Sequence, residues 1–101
     1  MYYLYCLIDV TANCTFGPVM MARNDAEMIR YFRDLIQDRK TLPGQHPQDF
    51  NLYLTASFDD HSGLITADEE LTLISTGTQL LEELIAAAER QQLTLNMERK
   101  P

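Results

Sequence analysis

Residues 51–65 read NLYLTASFDDHSGLI, and this stretch restricts the fold more than any other. Leu52, Leu54, Ala56 and Phe58 alternate with Tyr53, Thr55 and Ser57, the period of a half-buried strand. Asp60-His61-Ser62-Gly63 follows, and it suits a type I turn: Asp is favoured at the first position and Gly at the fourth. With the glycine in the left-handed region, such a turn is a common hairpin connection. Phe58 should therefore end one strand, and Leu64-Ile65 should begin an antiparallel neighbour.

The same residues invite a calcium-loop reading, which the spacing opposes. A helix–loop–helix calcium site takes ligands from loop positions 1, 3, 5, 7, 9 and 12, with glycine at 6. Aligning Gly63 with position 6 puts Asp60 at 3, Ser62 at 5 and Glu69 at 12, but leaves Phe58 at position 1. An oxygen ligand is missing, and the alternating NLYLTASF segment is a poor entering helix. The acids Asp68, Glu69 and Glu70 then read as a solvated loop or the start of the next element.

The other elements carry local signals of their own. Residues 2–10, YYLYCLIDV, are aromatic, β-branched and apolar at both parities, which suits a central strand. Thr11 to Cys14 make a turn, and residues 15–22 run back, with Gly17 and Pro18 marking an edge or a bulge. Asn24 followed by Glu27 is a capping pattern. It opens a helix with Met28, Ile29, Phe32, Leu35 and Ile36 on one stripe, closing near Lys40. Leu42-Pro43-Gly44 breaks it, and residues 41–49 read as a loop. LTLIST (71–76) is a further strand. Thr76 caps a second helix to about Gln92, whose stripe is Leu80, Leu81, Leu84, Ile85 and Ala88. Residues 92–101 form a tail that is either frayed or, from the alternation of Leu93, Leu95 and Met97, a short strand.

The expected fold class is α+β: an antiparallel sheet of about four strands in the order ββαββα, with both helices on one face. The whole chain, 1–101, reads as a single domain with enough apolar residues, 46%, for one core. The first residues lack a basic start and a small-residue cleavage site, so no signal peptide is expected, and no apolar run suits a membrane span. Cys6 and Cys14 are expected to be reduced. His46 and His61 sit in turns without metal-ligand spacing, so no metal or other cofactor is expected. No nucleophile elbow, phosphate loop or dinucleotide fingerprint occurs, so the chain does not read as an enzyme.

The net charge is −7, and it is unevenly spread. Acids concentrate in the second half, whereas Arg23, Arg30, Arg33, Arg39 and Lys40 gather on or beside the first helix. The bulk field should repel phosphate. The one candidate nucleic-acid site combines those five cations with the rings of Tyr31, Phe50 and Tyr53, because single strands are held by basic grooves with aromatic platforms. The competing reading is a solvated helix face with the aromatics in the core.

The order of these segments resembles the small nonstructural protein of microviruses, the tailless single-stranded DNA phages, and of their gokushovirus branch in particular. The resemblance rests on Ala26, Arg30 and Phe32 in the helix, on Pro47, Asp49, Phe50, Leu52 and Tyr53, and on Phe58, Asp59 and Gly63. It covers about residues 1–76, and a glycine common before the Phe-Asp pair is replaced here by Ala56 or Ser57. It implies a role in the host bacterial cytoplasm, outside the capsid: a binding or regulatory factor in viral DNA replication, or one that acts through a host or viral protein. Direct single-stranded DNA binding is the alternative. A homodimer is a further expectation, with sheet edges available for pairing between subunits.

Overall fold

The computed structural model of the chain describes residues 1–98, with side chains described through residue 92. Its elements are β1 (Tyr2–Asp9), β2 (Cys14–Ala22), α1 (Asp25–Gln37), the one-turn helix α2 (Leu42–Gln45), a 3-10 turn (Pro47–Asp49), β3 (Phe50–Phe58), β4 (Ile65–Thr76) and α3 (Gly77–Glu98). The four strands form one antiparallel sheet in the order β2-β1-β3-β4, so the expected α+β architecture and ββαββα order hold.

The turns and caps follow from local chemistry. Asp9 Oδ1 accepts from the backbone N–H of Thr11 and of Ala12, both at 3.0 Å, which bends the chain between β1 and β2. Asn24 caps α1, accepting from Glu27 N–H at 2.9 Å, and Glu27 reaches back to accept from Arg23 N–H at 2.9 Å. Thr76 caps α3 in the same way, accepting from Gln79 N–H at 3.0 Å.

Helix α1 stops at Gln37, short of Lys40, because Thr41 Oγ donates to the carbonyls of Leu35 and Asp38 and ends the ladder. Leu42-Pro43-Gly44 starts a new helical turn and is not a plain break. Thr41 Oγ accepts from Gly44 N–H at 3.1 Å, and Pro43 sits in the first turn, where its missing N–H is not needed.

The core lies between the sheet and the α1 and α3 helices. Phe32, Tyr5, Leu52, Phe50 and Leu80 are its largest fully enclosed members. Burying a side chain of this size is worth about 2 kcal/mol. Met28, Phe32 and Ile36 supply the α1 stripe, with Ile29 and Leu35 at its flanks. In α3 the predicted stripe holds only through Leu84, and from Ile85 to Gln92 every side chain is exposed. In place of the short strand read from Leu93, Leu95 and Met97, α3 continues as far as Glu98, and residues 99–101 lie outside the described residues.

Four irregularities decide which residues face the helices. Gly17 and Pro18 lie in a bulge of the edge strand β2, between the pairs Tyr5–Met20 and Leu7–Phe16. Thr55 is an extra residue of β3 between the pairs Leu4–Ala56 and Tyr5–Leu54. Phe50, Leu52 and Leu54 therefore share the helix side with Tyr5 and Leu7, while Ala56 and Phe58 cross to the other side with Leu4 and Tyr2. This overturns the uninterrupted alternation read for residues 52–58. The other two lie in β4: Ile74 is an extra residue between the pairs Leu52–Ser75 and Tyr53–Leu73, and four residues, Asp68 to Leu71, sit opposite Thr55 alone. The acidic cluster is therefore a bulge of an edge strand, and Ile65–Thr76 is one strand, not a loop followed by LTLIST.

Candidate functional site

The hairpin turn engages Asp59, and the N-terminal amine engages Asp60, the carboxylate that a calcium loop would have used at its third position. Asp59 N–H donates to the Leu64 carbonyl at 2.9 Å, and Gly63 N–H donates to the Asp59 carbonyl at 2.7 Å. The turn therefore begins at Asp59, one residue before the expected Asp60, and Gly63 takes φ 78°. Asp59 Oδ1 accepts from His61 N–H at 2.9 Å and Ser62 N–H at 3.4 Å, and these donors hold its carboxyl below the usual range. Asp60 pairs with the N-terminal amine at 2.9 Å, which lowers it likewise.

The cations of the sequence-derived nucleic-acid site are spread along α1 and beyond both of its ends, and two of the site's rings do not join them. Arg30 is exposed on the outer face of α1, with Arg33 three residues on. Arg33 faces Glu83 of α3 at 3.6 Å, a partly exposed pair worth well under about 1 kcal/mol. Arg23 precedes α1, and Arg39 and Lys40 follow it; all three are exposed. Phe50 is core: it is 1% exposed and meets Phe16 edge to face, with centroids 5.1 Å apart, so it offers no ring face to a base. Tyr53 pairs with Cys6 and Leu73 on the sheet face that points away from the helices. Tyr31 is the ring that remains on α1, next to Arg30. It is about half exposed and lines an open groove of about 380 Å³ with Met20, Met21, Met28 and Glu27.

A second surface was not singled out from the sequence. The strand pairs Leu4–Met21, Cys6–Tyr53 and Tyr53–Leu73 lie on the side of the sheet opposite the core. Cys6 and Ala56 are buried yet stand outside the core cluster. No charged residue holds a paired position there. Leu73, Met21 and Ile65 are each more than half exposed. The signal was present in β1, whose even positions Leu4, Cys6 and Ile8 are as apolar as its odd ones, although no described helix covers them.

A protein-family model described as Phage ORF5 protein matches residues 2–80. The chain belongs to this family. It is thus a phage protein. The ORF5 match takes in α1 and all four strands, and it ends at Leu80, the α3 residue enclosed in the core. The exposed part of α3 lies beyond it. No curated protein and no solved structure matches the chain.

Proposed function

We propose that this ORF5-family protein is a non-catalytic binding factor of a gokushovirus-like microvirus. It acts in the cytoplasm of the infected bacterium, modulating viral DNA synthesis through contacts with proteins. The observation that carries this reading is the sheet face opposite the core, whose strand pairs hold no charged residue. Contiguous apolar surface beyond a few hundred Å² marks interaction sites, and its chemistry suits protein side chains, not phosphate. The net charge of −7 also opposes non-specific attraction to DNA. An affinity pull-down of the full chain from infected cells, with and without nuclease, tests this. Protein partners retained after nuclease treatment support the reading; recovery of nucleic acid alone overturns it.

A direct single-stranded DNA role has one observation in its favour. Arg23, Arg30, Arg39 and Lys40 have no ion-pair partner among the described residues, and Tyr31 is exposed beside them. This reading requires binding that weakens steeply with salt and is lost when Arg30 and Arg33 are both changed to Gln.

A further inference from the structure

We infer that the uncovered sheet face is the interface of a homodimer in which two sheets pack face to face. The inference deepens the proposed protein-binding role and rests on it. Three observations point to a second copy.

The first is that both routes to edge-to-edge pairing are obstructed. On β2 the edge is interrupted by the bulge that contains Gly17 and Pro18. On β4 the bulge Asp68–Leu71 sets three consecutive acids on the edge. Two such edges would bring like charges together, and bulges, proline and charge are the usual means of keeping sheet edges apart. The expected pairing of edges between subunits is therefore disfavoured, and the face remains.

The second is the chemistry of the face. Leu4, Cys6 and Tyr53 lie on its central strands, with Met21 and Leu73 on the two edge strands and Phe58 at the end of β3. Interfaces between proteins that also live apart are no more apolar than ordinary surface, whereas homodimer interfaces resemble a divided core. A face whose paired positions hold no charge belongs with the second class.

The third is size. Four strands at about 4.8 Å spacing and roughly 27 Å of length give a flat patch of roughly 500 Å². That is the same order as the roughly 800 Å² per partner of a standard interface. A two-fold axis through this face makes the contact closed and self-complementary.

Sedimentation equilibrium on the full chain reads the mass directly. A species of twice 11.6 kDa is expected. Leu73→Arg and Met21→Arg, each at a side chain already more than half exposed, should keep the circular dichroism of the fold. Each should weaken dimerisation at least about a hundredfold, since symmetry buries the unpaired cation twice. Ile85→Arg, on the exposed part of α3, should remain dimeric. A monomeric wild-type chain, or a dimer that survives both face variants, overturns the inference. If the monomer still captures a host protein and Leu73→Arg abolishes capture, the protein-binding role stands without the dimer. A monomer that captures nothing overturns both.

Discussion

The Tyr5 hydroxyl donates to Asp25 Oδ1 at 2.6 Å, tying the enclosed end of a β1 side chain to the first turn of α1. This is the polar link between sheet and helix inside an otherwise apolar contact. Tyr5→Phe keeps the ring and removes the bond. It should cost about 1–2 kcal/mol in urea unfolding at neutral pH.

The same bond gives the fold an alkaline limit. Burial, and then the hydrogen bond to Asp25, push the Tyr5 hydroxyl well above its ordinary value. The folded pKa exceeds the unfolded one, so the contribution is full below about pH 10 and declines as pH rises beyond that toward the folded pKa. Stability of the wild-type chain should therefore fall more steeply above about pH 10 than that of Tyr5→Phe. Parallel curves would refute this.

Asp59 acts in the opposite direction. Its carboxyl is lowered by the N–H groups of His61 and Ser62, so its contribution is complete above the unfolded pKa near about 4 and is lost as pH falls through the folded value. In an acid titration followed by circular dichroism, Asp59→Ala should show a weaker dependence on pH below about 4 than the wild type.

Two glycines should respond differently to alanine. At Gly63 the obstacle is conformational alone: φ is 78° and a Cβ would meet no atom, so the cost should be about 1 kcal/mol. At Gly77 a Cβ would collide with the Pro47 carbonyl oxygen and crowd that of Phe50, where α3 crosses the 3-10 turn. Backbone cannot yield as a side chain can, and the loss should reach about 3 kcal/mol or more. Denaturant midpoints of the two variants check the order.

The thiols should separate by reactivity. Cys14 is exposed, whereas Cys6 is buried in the sheet and burial pushes its thiol up. A thiol reagent at neutral pH should modify Cys14 promptly and Cys6 only after denaturant is added. Prompt reaction of Cys6 in the folded chain would show the face more open than it stands here.

The sequence by itself determined what neighbours along the chain can decide. Asn24 with Glu27, Thr76 with Gln79, and Asp59 with Gly63 each satisfy backbone groups within four residues, so the helix starts and the hairpin were legible without a fold. The order ββαββα and the α1 stripe followed from period alone. The tertiary structure decided the rest. Thr55 moves Ala56 and Phe58 to the opposite face, and only pairing with β1 shows it. Phe50 and Tyr53, three residues apart, go respectively into the core and onto the uncovered face. The physical reason is that a bulge or a register belongs to two strands at once, and that a face is covered or bare according to elements far away in sequence.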